Sequence, residues 1–598
     1  MRRFFYVTLP LLACTLLAGF PARANDPQLP NMGSSAGTVA SPEEQRQYGF
    51  YMLHELRNQN QVVDDALLTD YINMIGYRLV AYSQKQDQPF TFFIVRDTSI
   101  NAFALPGGFV GINAGLITTT ANESELAAVL AHEISHITQQ HLVRAVEAEQ
   151  KYAPLMVLAM LGAIVASAHQ SPYSTSNSGI GAIATAEGIA EQMQINFTRA
   201  DESEADRIGI NTLAKAGFDP DAMADFFERM QHALRPGFDE NDVPALLMDH
   251  PVTNQRISEA RERAEAMKKG VKPTIDVGTP CEVGANCPKA TTTFADAPTT
   301  TFAQSPAGTP FDTSILMPTF NYSPTARPKK LVDGSSHQEL WGANADEYYQ
   351  LMRERVRVLA SAQPSQTATY YADNLRNDAG FASTPNRYGY ALALLAAGDA
   401  KKAESVSDKL IEQQPNNLVL QLAAGETELM TGERETSLKR YATLENDFPD
   451  NRPLAMSQAQ ALLQSADKKS ARRAQEILRP QLSKNDEDPD LQTLYARACE
   501  LAGDPVRAGE AHAAAAYLNG RAEDALNQLK DILKRSDLDY YQRSRVEARI
   551  AEFTPIVLEL RRRKIKPADQ GKFGLDVSAC AATTCNALSS ARNKFALQ

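Results

Sequence analysis

Apolar residues recur at helical spacing along most of the chain, and in one short region they change to the runs and alternations of strands. Helices are expected around "YGFYMLHELRNQ" (from Tyr48) and "LLTDYINMIGYRLVAYS" (from Leu67), followed by the strand-like "FTFFIVRD" ending at Asp97. The next segment, "NAFALPGGFVGINAGLI" from Asn101, is broken by Pro106, Gly107, Gly108, Gly111 and Gly115, which predicts a hairpin. Its edge could bind extended polypeptide by strand addition, although the pattern fits an ordinary hairpin equally well. A further helix opens on Asn122, Glu123 and Ser124 and carries its apolar face on Leu126, Val129, Leu130, Ile134 and Ile137.

The helical pattern holds to about Met267 and then stops. Over 270–340 the composition shifts to Thr, Ala and Pro, as in "KATTTFADAPTTTFAQSPAGTP", which cannot make a core and reads as a linker. From 341 to 553, Ala and Leu return at helical spacing. Gly398 and Gly432 are 34 residues apart, as are Pro415 and Pro449, the tetratricopeptide period of two helices per unit. About four to five units are expected, forming a curved helical surface for polypeptide, with a generic helical bundle as the alternative. Residues 554–598 are expected to be a tail. At the other end, Arg2 and Arg3 precede an apolar run and the small-residue site Ala22-Arg23-Ala24, so 1–24 reads as a secretory signal and 25–269 as the first globular domain.

Charge and cysteine usage narrow the setting. With 60 basic and 72 acidic residues the net charge is -12, and no basic stripe marks a nucleic-acid partner. An exported chain retains Cys281, Cys287, Cys499, Cys580 and Cys585. The local pairs Cys281/Cys287 and Cys580/Cys585 are expected to be oxidised, within or across pairs, and Cys499 to be a buried helix residue.

The candidate chemistry lies in "AAVLAHEISHITQQH" (from Ala127). On a helix, His132 and His136 stand at i and i+4, so both imidazoles can grip one ion, with Glu133 beside them. Two helical histidines plus a third ligand suit Zn2+ with an open position for water, whose proton a neighbouring carboxylate can take. The third ligand is sought in "NFTRADESEADRIGINTLAKAGFDP". There Glu202 and Asp206 share one helical face: Glu202 would reach the metal, and Asp206 would accept the free ring N–H of a ligand histidine. Glu204, turned about 200° from Glu202, is expected to face solvent. In "PALLMDHPVTNQRI", Pro251 disfavours helix at His250, which is expected on a loop as an oxyanion donor, a fourth zinc ligand or a plain loop histidine. Arg256 could orient an acidic neighbour or a substrate carbonyl, or form a surface ion pair. The run from Tyr152 to Ala168 is short for a membrane span and fits a lid, a buried helix or a helix at a membrane surface.

Together, "HEISH" from His132, "ESEAD" from Glu202, "NAFALPGG" from Asn101 and "HPVTNQRI" from His250 resemble the gluzincin peptidases related to the CAAX prenyl proteases. The resemblance implies an α+β zincin-type metallopeptidase domain, mainly helical, followed by an all-α tetratricopeptide-repeat solenoid. It also implies one Zn2+ per chain on His132, His136 and Glu202, with Glu133 as catalytic base. The order of signal, peptidase and repeats is similar to that of periplasmic gluzincins. It implies quality control and assembly of outer-membrane β-barrel proteins, with unfolded or stalled outer-membrane proteins and the barrel-assembly machinery as partners. A repeat-based chaperone or scaffold with a mostly latent peptidase domain is the alternative.

Overall fold

A computed structural model describes residues 41–145, 147, 199–233, 246, 250–269 and 345–562. The expected signal, the run from Tyr152, the expected linker and the four cysteines expected to be oxidised lie outside them. Helix α1 (Pro42–Asn58) starts on a capping box between Ser41 and Glu44, and α2 (Ala66–Val80) starts on Asp65, whose carboxylate accepts from the Leu68 amide. Strands β1 (Thr91–Val95), β2 (Ala102–Leu105) and β3 (Phe109–Asn113) form one sheet in the order β1-β3-β2. The expected hairpin is the antiparallel β2/β3 pair. Its turn holds Gly107 and Gly108 at positive φ, where a Cβ would collide with the backbone of Arg46 and Pro89. β3 also pairs in parallel with β1, so β3 is central and β2 forms an edge.

A short helix α3 (Ala114–Thr119) separates the sheet from α4 (Glu123–Thr138), the helix of the HEISH motif. Leu126, Leu130, Ile134 and Ala127 of α4 pack into the core shared with α2, so the apolar face fixes the helix and leaves the histidine face turned towards helix 199–215. That helix passes unusually close. A Cβ on Gly209 would stand 3.2 Å from the backbone nitrogen of His132, so glycine here permits the approach.

From Ala345 to Arg562 every regular element among the described residues is helical. From Thr384–Ala396 onwards each helix packs on the next across a short turn, the arrangement of stacked helical hairpins. Gly398 and Gly432, the two glycines 34 apart, both take left-handed backbone (φ 86° and 93°) just after a helix, which explains why glycine recurs at that spacing. The last helix (Tyr540–Arg562) runs past the boundary expected at 553. Cys499 is buried and unpaired, as its apolar setting suggested. No helix among the described residues is long and apolar enough to cross a membrane.

The helical region packs directly on the N-terminal domain. Arg355 forks onto Asp65 at 2.7 and 2.8 Å, at the start of α2. Arg452 donates to Asp70 at 2.8 Å, the rings of Tyr71 and Tyr348 meet edge to face at 5.2 Å, and Tyr349 donates to the carbonyl of Thr120 just ahead of α4. These contacts bind the helical array to the α2 side of the domain and to the approach to α4.

Candidate metal centre

Helix α4 begins where expected: Asn122 caps it, accepting from the Glu125 amide at 2.9 Å. About three and four turns on, His132 and His136 hold their Nε2 atoms 3.0 Å apart. Glu202, from helix 199–215, brings Oε1 to 3.3 Å from His136 Nε2 and Oε2 to 3.4 Å from His132 Nε2. His250 closes the group, its Nδ1 2.8 Å from Glu202 Oε1 and 3.4 Å from His132 Nε2. A tetrahedral zinc with bonds of about 2.0–2.1 Å needs donors about 3.3–3.4 Å apart. The two Glu202–histidine separations and that between His132 and His250 match this value, while 3.0 Å between His132 and His136 and 2.8 Å between His250 and Glu202 are shorter, so the set fits such an ion in chemistry and, with small adjustments, in spacing.

The surroundings orient this set. His132 turns its Nδ1 to Asp206 Oδ1 at 3.0 Å, the partner expected to fix the tautomer. Asp206 thus lies behind a histidine and away from the face that a substrate would approach. Arg256 donates twice to Asp206, at 2.7 and 2.8 Å, and lies 3.0 Å from Glu202 Oε2. At 8% exposure it belongs to a buried network, so it is no surface ion pair, and its contacts are those expected of a residue orienting an acidic neighbour.

Glu133 points elsewhere. It is buried, and among the described residues its Oε1 has no hydrogen-bond donor, with His250 Nε2 3.7 Å away. A buried carboxylate oxygen without a donor is costly and fits a place where water or substrate supplies the missing proton. The adjoining cavity has an apolar wall of Val129, Met223, Phe226, Phe227, Leu246 and Val252, and His132, Glu133, His250 and Arg256 also line it.

Glu204 departs from expectation. It does not point freely into solvent but accepts from Arg144 at 2.9 Å and lies 3.2 Å from His141 Nε2. The geometry of an isolated helix put it on a free face, but the chain past Gln140 folds back and covers that face. His141, Arg144 and Asp201 were not singled out from the sequence, although His141 stands five residues after His136 in the motif itself.

Charge balance follows from these contacts. Burial opposes a proton on His132, but Glu202 and Asp206 outweigh it and hold that imidazole up at about 10, whereas burial drives His136 down to about 4. Burial raises the Glu202 carboxyl, yet the surrounding imidazoles dominate and hold it well below the ordinary range. At neutral pH the metal-free site therefore carries a proton on His132 that a ligand imidazole cannot keep. Protons compete with the metal, so zinc affinity should rise with pH across the neutral range, with proton release visible as a buffer-dependent heat of binding. Affinity independent of pH from 6 to 8 would contradict this charge assignment.

Residues 66–264 match the sequence model of peptidase family M48. The chain carries an M48 peptidase domain. It is 40% identical over 268 residues to the β-barrel assembly-enhancing protease of Escherichia coli, covering 43% of this chain and 53% of that protein. It is 41% identical over 240 residues to the protein of that name from Yersinia pestis, covering 40% and 48%. Against the mitochondrial metalloendopeptidase OMA1 of Schizosaccharomyces pombe it is 29% identical over 194 residues, covering 32% and 52%. The chain spans about half the length of these curated relatives. Every residue of the donor set, with Glu133, Asp206 and Arg256, falls inside the M48 match.

Proposed function

We propose that the chain is a periplasmic zinc endopeptidase acting in quality control and assembly of outer-membrane β-barrel proteins, with His132, His136 and Glu202 holding one zinc per chain. The observation that carries the reading is the convergence of those donors at 3.0–3.4 Å beside a buried Glu133 oxygen that lacks a donor. When bound there, zinc supplies Lewis acidity towards a carbonyl and towards water. Glu133 accepts a proton from the attacking water and passes it to the leaving amine, while Asp206 and Arg256 keep His132 oriented. An extended polypeptide adds to the edge strand β2, which packs beside α4, and an apolar side chain fills the cavity next to Glu133.

The relatives' names support the barrel-assembly role. The helical region, read as tetratricopeptide-like repeats, serves to dock unfolded or stalled outer-membrane proteins or the assembly machinery. The run from Tyr152 is the candidate for peripheral membrane contact. A scaffold with a silent peptidase domain is disfavoured, because the donor set and Glu133 are both in place.

Zinc analysis with cleavage of unfolded casein tests this reading. The wild type should hold about one zinc per chain and cut casein, and Glu202→Ala should lose zinc by 100-fold or more in affinity, approximately the loss of a ligand. Full zinc occupancy in Glu202→Ala, or a zinc-loaded wild type unable to cut any unfolded protein, would refute it.

A further inference from the structure

We propose that His141 is a positioning residue for His136, an imidazole relay that ties this metal ligand to the carboxylates of Asp201 and Glu204. The proposal rests on the zinc-peptidase reading above, because it concerns how a ligand histidine is held. A histidine that meets a metal through Nε2 must carry its proton on Nδ1. In His136 that atom lies 2.9 Å from Nδ1 of His141, with the two rings nearly perpendicular at 87°. One proton lies between two ring nitrogens, so His136 donates and His141 accepts. His141 then bears its own proton on Nε2, which lies 3.2 Å from Glu204 Oε2 and 3.7 Å from Asp201 Oδ1. Arg144 fixes both carboxylates, donating at 2.8 Å to Asp201 and 2.9 Å to Glu204.

The backbone is shaped for this contact. On an unbroken helix a residue five positions on points about 140° away. Here α4 ends at Thr138 with Gln139 as its C-cap, and Gln140 takes left-handed backbone with φ 57°, a conformation that non-glycine residues seldom adopt. The next helical turn begins at His141 and brings its ring back over His136, with the side chain 4% exposed. The two ligand histidines are therefore backed differently. His132 meets a carboxylate directly, and His136 meets one through a second imidazole; in each case an arginine, Arg256 or Arg144, anchors the carboxylate.

His141, Asp201 and Glu204 are also close enough to be considered as a second cation site. Two contacts argue for the relay instead. The guanidinium of Arg144 already sits on both carboxylates, and His141 Nδ1 is engaged with His136, so a cation would have to displace the one and forgo the other.

The test measures zinc affinity of the full chain by competition with a chromogenic chelator, alongside thermal melting of the metal-free proteins. His141→Phe, which fills the space without an acceptor, should weaken zinc binding about 10- to 100-fold. His141→Asn, whose amide oxygen can accept from His136, should recover most of that loss, with metal-free melting alike in all three proteins. Equal affinity in wild type and His141→Phe overturns the relay, as does equal weakening by Phe and Asn. If His141→Phe does not fold, the double variant Asp201→Asn/Glu204→Gln takes its place: weakened zinc binding supports the relay and unchanged affinity overturns it. Two zinc ions per wild-type chain, one lost in the double variant, would identify a second metal site and overturn it as well. A wild type that takes up no zinc would remove the peptidase reading and the relay together, whereas loss of the relay alone leaves zinc-dependent cleavage intact.

Discussion

Glu133→Gln should retain about one zinc per chain and lose cleavage of unfolded casein by about a thousandfold. The two effects separate because Glu133 is next to the donor set without belonging to it: His132, His136, Glu202 and His250 supply the converging atoms. Glutamine keeps the volume of a side chain that is only 1% exposed, so packing along α4 is preserved. It cannot accept a proton. The amide also brings a donor where the carboxylate has an oxygen without a hydrogen-bond donor, which further disfavours water held for attack. Zinc measured by atomic absorption, with turnover on the same preparations, decides the matter. A variant that keeps more than a tenth of wild-type turnover would exclude Glu133 as the base, and one that loses its zinc would make Glu133 part of the binding site.

The parts of this centre that the sequence disclosed are those set by local helical geometry. His132 and His136 at i and i+4, and Glu202 and Asp206 at i and i+4, each fix a face without knowledge of the fold. Glu204 and His141 show the limit of that reasoning. Their meeting depends on one left-handed residue, Gln140, and nothing in glutamine's chemistry announces such a turn. Gly209 is an intermediate case: a glycine inside a helical pattern signals close approach, but only the fold says that its neighbour is the backbone of His132. In the sheet, the hairpin could be read from its glycines, whereas the parallel pairing of β1 with β3 could not, because apolar runs do not specify direction. The contacts of Arg355 with Asp65 and of Arg452 with Asp70 join residues hundreds of positions apart, so no periodicity could reveal that the helical array rests on α2.

His250→Ala should raise cleavage of an unfolded substrate about tenfold while zinc stays bound through the other three ligands. The sequence left His250 between an oxyanion donor, a fourth ligand and a plain loop histidine. Its placement favours the fourth ligand. Nδ1 lies within the donor set, 2.8 Å from Glu202 Oε1 and 3.4 Å from His132 Nε2, so it would compete with water for a bound zinc. On the other side of the same ring, Nε2 is 3.7 Å from Glu133 Oε1, so one imidazole covers both the open coordination position and the base. A ring held there would restrain the wild type without silencing it. Displacing His250 is then the step that admits water and substrate, and the conformation that admits them is a minor one until the ring moves. Alanine removes the restraint permanently, so the gain should be largest at low substrate concentration and accompanied by more self-cleavage. The competing role predicts the opposite sign, because a lost oxyanion donor lowers turnover about a hundredfold or more with zinc retained. Rates measured with equal zinc occupancy therefore discriminate directly: a rise supports latency, a fall assigns His250 to the oxyanion, and no change removes it from the reaction altogether.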